Sequence, residues 1–181
     1  MSGHIIQDSE LIRKYKNGNA EAFVELYDRY KNMIAGYVRA LTGSREEAEN
    51  IVQEVFLAVI RRAETLRPEG SFRAYLLIRA RGLALNLRRK RRPANALDFP
   101  ETASDNPGPL ACAARTEETE RLALALTELP AEQRDVVSLR THANMTVAEI
   151  AEMLGEPVGT VKSRYRYALQ KLRASLSEGK K

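Results

Sequence analysis

The chain has 181 residues, 44% of them hydrophobic and 29% charged, with ten Gly, seven Pro, one Cys and no Trp. That much apolar material excludes wholesale disorder, the low Gly and Pro content disfavours a turn-rich all-β fold, and a lone Cys112 excludes an internal disulfide framework or a Cys-pair zinc site. The net charge of +5 is uneven: residues 1–92 carry 18 Lys/Arg against 11 Asp/Glu, residues 93–119 carry 1 against 5, and residues 120–181 carry 10 against 8.

Leu, Ala, Arg and Glu recur throughout and favour helices. The opening MSGHIIQDSE has no basic stretch leading into an apolar one, as a signal peptide would. The longest unbroken apolar run, Val55–Ile60, falls far short of the roughly 20 residues a membrane span needs. A cytoplasmic chain without membrane insertion is expected.

In chain order, Asp8 is placed to cap a short helix that closes at Asn17-Gly18. Asn19 can cap a long helix ending at Gly43, a residue suited to a left-handed stop. Ser44-Arg45-Glu46-Glu47 reads as a capping box, the Ser side chain accepting from the third amide while the Glu reaches back. Beyond it, Ala48, Ile51, Val52, Val55, Phe56, Val59 and Ile60 recur at steps of three and four, a helical stripe. Leu66–Gly70 breaks the chain. Ser71 can cap a further helix carrying Phe72, Tyr75, Leu76, Leu83 and Leu87, which ends in Arg88-Arg89-Lys90-Arg91-Arg92 and is stopped by Pro93. Four helices with short connections predict a small bundle.

Residues 93–119 hold four of the seven prolines, show no apolar periodicity and are acidic. They read as a flexible linker. Helices are then expected near 117–127, 131–141, 146–154 and 158–177, with Pro130 in a first turn, a second capping box at Thr146–Glu149 and a stop at Gly155. The fold class that follows is all-α: a domain at 1–92, a linker at 93–119 and a domain at 120–181.

Residues 146–172 match a helix-turn-helix: a short capped helix, a Gly-containing turn and a longer helix. At 100° per residue the last helix places Val158, Val161, Tyr165, Ala168, Leu172 and Leu176 on one side. Gly159, Ser163, Arg166 and Gln170 lie opposite, with Thr160 and Tyr167 beside them and Lys162 and Arg164 at the flanks. Short or hydrogen-bonding residues toward base edges, with cations in reach of phosphates, describe a recognition helix. The same spacing also fits an amphipathic helical hairpin with a solvated charged face. Arg88–Arg92 could likewise complement a helix dipole, but five successive cations repel one another without a polyanion, which favours phosphate contact.

No catalytic constellation emerges. His4 and His142 lack Cys, Ser or carboxylate partners at motif spacing, and there is no Gly-rich phosphate loop, HExxH or GxSxG. Glu46, Glu47, Glu49 and Glu54 read as solvated surface charges. No enzyme activity, metal or cofactor is expected.

Together the two blocks resemble the extracytoplasmic-function (ECF) sigma factors of the bacterial primary-sigma superfamily. The segment Glu46–Leu57 (EEAENIVQEVFL) is similar to the family's core-polymerase-binding helix. Ser71–Leu76 with Ala80-Arg81 and the basic tail is similar to its promoter-melting segment. Leu129–Arg134, Ala148–Gly155 and Pro157–Arg164 are close to the family's wording in the C-terminal domain. The resemblance implies that Glu49, Asn50, Gln53 and Glu54 meet the clamp helices of the polymerase beta-prime subunit. It implies that loop 64–71 receives a flipped base while Arg73, Tyr75, Arg79, Arg81, Arg88, Arg89, Lys90, Arg91 and Arg92 serve the minus-ten element. Thr160, Lys162, Ser163, Arg164, Arg166 and Tyr167 would read the minus-thirty-five element. Core RNA polymerase, promoter DNA and an anti-sigma factor are the partners it implies. Departures from the family's usual pattern are Asn50 for Asp, Ile60 and Tyr75 for Trp, the order Ile78-Arg79, and Gly82 for Asn. The rival readings are a stand-alone helix-turn-helix regulator, which needs no polymerase, and a sigma-like adaptor that sequesters a partner protein.

Overall fold

The computed structural model describes residues 6–66, 71–91, 122 and 125–178, without the side chains of residues 91 and 178. The expected linker 93–119, His4, Arg92, Cys112, residues 67–70 of the expected base-receiving loop and most of the helix expected near 117–127 lie outside the described residues.

The N-terminal part consists of α1 (Asp8–Lys16), α2 (Ala20–Thr42), α3 (Arg45–Arg61), a 3-10 turn (Ala63–Thr65) and α4 (Phe72–Arg91). Local chemistry sets most of the boundaries. Asn19 Oδ1 accepts from Ala22 N at 3.0 Å to start α2, and Gly43 ends it at φ 77°. Ser44 Oγ accepts from Glu47 N at 3.3 Å. The reciprocal half of that capping box does not form: Ser44 N donates to Thr42 Oγ1 instead, and Glu47 is buried rather than a solvated charge. Ser71 Oγ accepts from Ala74 N at 3.2 Å at the head of α4.

Asp8 is not a cap. Gln7 occupies that position, and the Asp8 carboxylate is taken by Arg29 Nη1 at 2.6 Å and by the Tyr30 hydroxyl, both from α2. Charge-assisted bonds of this kind exceed what a neutral amide offers.

The stripe on α3 packs as its period demands. Ile51, Val55, Phe56 and Val59 are buried against Leu26, Ile34 and Val38 of α2 and Leu76, Leu77, Ala80 and Ala84 of α4. The Tyr27 and Phe56 rings meet edge to face at 4.8 Å. Ile60, expected on the stripe, is 44% exposed instead; it lies about 100° around the helix from Val59, which is 1% exposed, and so falls at the edge of the buried face.

The C-terminal part consists of α5 (Ala131–His142), α6 (Val147–Leu154) and α7 (Val158–Glu178). Pro130 precedes α5 as its cap residue rather than sitting in the first turn. Both halves of the capping box form at α6: Glu149 N donates to Thr146 Oγ1 at 3.2 Å and Thr146 N to Glu149 Oε2 at 2.7 Å. Gly155, at φ 67°, ends α6, and Glu156-Pro157 lead straight into α7.

α5 is shared between two apolar clusters. Val137 packs with Ala125, Leu129, Ala168 and Leu172. Val136 and Leu139, facing the other way, belong to the same buried cluster as α2, α3 and α4. Each such side chain contributes roughly 1.5–3 kcal/mol of transfer free energy, so the C-terminal helices dock on the N-terminal bundle with an apolar basis. Arg134 is buried at this junction. It donates to the carbonyls of Thr127, of Leu129 at 3.0 Å and of Leu41, the last of these in α2, at 3.4 Å. Burial first, then the charge of Arg88, pushes the Arg134 pKa down to about 10.

Candidate nucleic-acid interface

α6 and α7 cross as a helix-turn-helix should. Ile150 and Ala151 of α6 and Val161, Ala168 and Leu172 of α7 are buried. The small Ala151 permits the close crossing. Val158, assigned to the inner side by its period, is 52% exposed in the opening turn of α7.

The opposite side of α7 is open. Lys162, Ser163, Arg166 and Tyr167 are exposed, while Thr160 and Arg164 are half-buried. Arg164 Nη1 pairs with Glu156 Oε1 at 3.0 Å, which ties the flank of the helix to the turn before it. The Arg166 guanidinium lies 5.0 Å from the centre of the Tyr167 ring, a cation–π contact on this exposed side. A face with one hydroxyl, one aromatic and planar or point cations can offer hydrogen bonds to base edges and charge to phosphates.

α4 presents its cations differently. Arg89 and Lys90 are exposed and Arg88 is half-buried; the Arg91 side chain and Arg92 lie outside the described residues. Arg73 and Arg81 are turned toward the C-terminal helices. Arg73 donates to Glu149 Oε1 at 2.6 Å and to the Ala143 carbonyl at 3.2 Å. Arg81 Nε donates to Asp135 Oδ2 at 2.6 Å, and Tyr37 of α2 donates its hydroxyl to Asp135 Oδ1 at 2.6 Å.

Asp135 is only 4% exposed. Burial, then the charge and hydrogen bond of Asp135, hold the Tyr37 hydroxyl well above an ordinary phenol, so it stays a donor. Burial works against the charge on Arg81, but its hydrogen bond and attraction to Asp135 outweigh that and keep it firmly protonated. Bonds from the backbone and side chain of Thr146, with a smaller part from Arg73, lower the Glu149 carboxyl.

The two aromatic candidates of α4 are less available than their spacing suggests. Phe72 is buried and meets the Tyr30 ring edge to face at 5.6 Å. Tyr75 is half-buried, its ring parallel to Phe72 within 17°. The Tyr75 hydroxyl and Arg79 Nε are buried without a hydrogen-bond partner among the described residues. Ile78 is 53% exposed on the outer side of α4 beside Gly82, whose missing side chain faces open space.

On α3, Glu49, Asn50, Gln53 and Glu54 are all exposed, with Glu49 paired to Arg45 at 2.8 Å. Leu57 and Ile60 extend that polar strip with exposed apolar surface. Neither was among the residues expected there; Leu57, off the buried stripe, was the legible one of the two. Nothing in the sequence marked Asp135 as the acid that would meet Arg81, since their separation in the chain is 54 positions.

Among the described residues no helix is long and apolar enough to cross a membrane. Residues 26–94 match the family Sigma-70 region 2, and residues 125–174 match Sigma-70, region 4. The ECF RNA polymerase sigma factor SigL of Mycobacterium tuberculosis is 34% identical over 159 residues, spanning 84% of this chain and 88% of its own length. SigW of Bacillus subtilis, also an ECF RNA polymerase sigma factor, is 27% identical over 178 residues, spanning 92% and 95%. In three dimensions the chain is similar to CnrH, solved in complex with the cytosolic domain of CnrY. The TM-score is 0.68 at 25% identity, over 94% of this chain and 97% of CnrH.

Proposed function

The chain belongs to the ECF RNA polymerase sigma factors, DNA-binding factors that direct transcription initiation, and we propose that its domains divide that work. The domain at 1–92 docks on core polymerase through the outer strip of α3, with Glu49, Asn50, Gln53 and Glu54 as contacts. It opens the minus-ten element along α4, using Arg73, Tyr75, Arg79, Arg81 and the cations 88–92. The domain at 120–181 reads the minus-thirty-five element with Thr160, Lys162, Ser163, Arg164, Arg166 and Tyr167. The acidic segment 93–119 joins the two. The exposed, hydrogen-bonding side of α7 is the observation that most supports this allocation.

Physical reasoning supports the reliance on a scaffold. Extruding a base costs a few kcal/mol, which contacts to the single strand must offset. Two weak DNA sites gain effective concentration when tethered and held on one polymerase. Membership of the family carries an anti-sigma factor as a further partner, and the likeness to CnrH, solved in complex with the cytosolic domain of CnrY, supports a protein partner of that kind.

The test is reconstitution. Purified chain with core polymerase should co-elute on gel filtration and initiate at a cognate promoter, and Gln53→Ala with Glu54→Ala should weaken co-elution. Undetectable binding to core polymerase would discard the proposal in favour of a stand-alone regulator.

A further inference from the structure

The outer side of α4 carries an apolar notch that the packing of the chain does not use. Ile78 and Leu85 are 53% and 38% exposed, and between them Gly82 has nothing within 4 Å of where a β-carbon would stand. We propose that this notch receives one unstacked base of single-stranded promoter DNA, held between Ile78 and Leu85 over the bare backbone at Gly82. This rests on the assignment of α4 to the minus-ten element, and adds to it a base site on the helix itself, apart from loop 64–71. Ile78 and Gly82 both depart from the family's usual pattern, so the notch belongs to this chain rather than to the family at large.

Gly82 is the key residue. A glycine inside a helix costs stability, and is kept where a left-handed dihedral or a close approach to the backbone requires it. Gly18, Gly43 and Gly155 take positive φ, and Gly36 makes room for the His142 ring. Gly82 does neither: it is helical, exposed and met by no other part of the chain. Close approach by a ligand is the remaining use of a bare backbone. Gly159 is the other described glycine of this kind, and it stands on the side of α7 assigned to the minus-thirty-five element.

Helix geometry gives the notch its size. At 100° per residue, Ile78, Gly82, Leu85 and Arg89 fall within about 60° of one another around α4. At 1.5 Å per residue, Ile78 and Leu85 are about 10.5 Å apart along the axis. Side-chain width reduces this to about 8 Å between facing carbons, which suits a planar base in contact at about 3.5–4.0 Å on each face. Arg89 and Lys90, both exposed, follow one turn beyond Leu85, where the phosphates of adjoining nucleotides would lie. Apolar surface for a base, continued by cations for the backbone, is the chemistry of a single-strand site.

The test uses the full chain reconstituted with core polymerase, and a fork-junction promoter DNA with a single-stranded overhang. One abasic site is moved position by position through the minus-ten element of that overhang. Abasic sites lower affinity wherever a base is held; at the notch position the loss should be about fivefold, the low end for a base on a side-chain platform. Gly82→Leu fills the notch without a change of charge and, as a better helix former, should raise the urea midpoint. It should bind the intact fork about fivefold more weakly than wild type. The abasic site at the notch position should then cost nothing further, while the costs at other positions stay as in wild type. Ile78→Ser, which removes one wall, should show the same coupling at the same position. If Gly82→Leu binds the intact fork as wild type does, or its effect adds to the abasic cost at every position, the notch holds no base. Loss of co-elution with core polymerase in Gly82→Leu would give the notch to a protein contact and overturn the proposal equally. If Arg89→Ala with Lys90→Ala leaves fork affinity and its salt slope unchanged, the assignment of α4 fails instead, whatever Gly82→Leu shows.

Discussion

The imidazole of His142, the last residue of α5, lies over Gly36 in the middle of α2, so close that a β-carbon on Gly36 would stand 2.7 Å from Nδ1. A glycine inside a long helix costs roughly 0.5–1 kcal/mol relative to alanine, and here it makes room for the end of α5. The inner edge of the ring is covered by α2 while its outer side is open to solvent.

Burial lowers the His142 pKa below the ordinary 6.5. The unfolded chain therefore takes up a proton first on acidification. Stability should fall as the pH drops through 6.5 toward the lowered value, then level off with respect to this group. Urea midpoints measured between pH 7.5 and 5.5 should show that slope, and His142→Gln should flatten it. Glu149, whose carboxyl is lowered, acts in a separate window: its contribution is present above the ordinary carboxylate range and lost below it.

Gly82 should be replaceable at a gain. It lies inside α4 with nothing within 4 Å of where a β-carbon would stand. Gly82→Ala should stabilise the chain by about 1 kcal/mol through helix propensity and reduced unfolded-state entropy. The midpoint of denaturation should move upward with an unchanged slope; a loss of stability would mean that the glycine accommodates a bend.

Thr146→Ala removes the hydroxyl that accepts from Glu149 N. A cost of about 0.5–2 kcal/mol is expected, read by urea titration. Amide exchange should rise first in α6, because Glu149 is held by the cap at one end and by Arg73 at the other.

Arg134→Met keeps length and apolar volume but leaves the carbonyls of Leu129 and Leu41 short of a donor. Each buried acceptor left unpaired costs about 1–3 kcal/mol. Arg134→Lys should recover little of that loss, since a single ammonium cannot span carbonyls from two separate segments, the bend at Leu129 and the end of α2, as a planar fork does. Thermal melts of the three proteins test the ranking.

Arg166→Ala and Lys162→Ala should differ in kind. Losing a bidentate base contact at Arg166 should cost about 1–3 kcal/mol and relax specificity at one promoter position. Losing a phosphate contact at Lys162 should weaken all promoters alike and lower the salt slope by about one. Promoter competition at two salt concentrations separates these outcomes, and equal small effects would reject the assignment of this side of α7.

Much of the architecture was legible because its causes are local. Asn19, Gly43, Thr146 and Gly155 set helix ends through bonds or dihedrals reaching at most a few residues along the chain. The outward presentation of Ser163 and Arg166 follows from the helical period alone. Ile60 shows where that logic stops, since steps of three and four drift around the helix and can leave a residue at the edge of the stripe while Val59 beside it is buried. Asp8 shows the same, because a capping position is local whereas Arg29 and Tyr30 arrive from another helix.

What only the tertiary structure decided is where the cations of α4 point and that the two domains share a core. Tyr37 and Asp135 are 98 positions apart, and no periodicity, cap or charge count links residues at that distance. Their encounter follows from α5 having two apolar sides, Val137 toward α7 and Val136 with Leu139 toward α2, which a stripe-counting reading treats as one. Helix ends and faces are properties of short stretches of chain; the choice of partner for a buried charge is a property of the packed molecule.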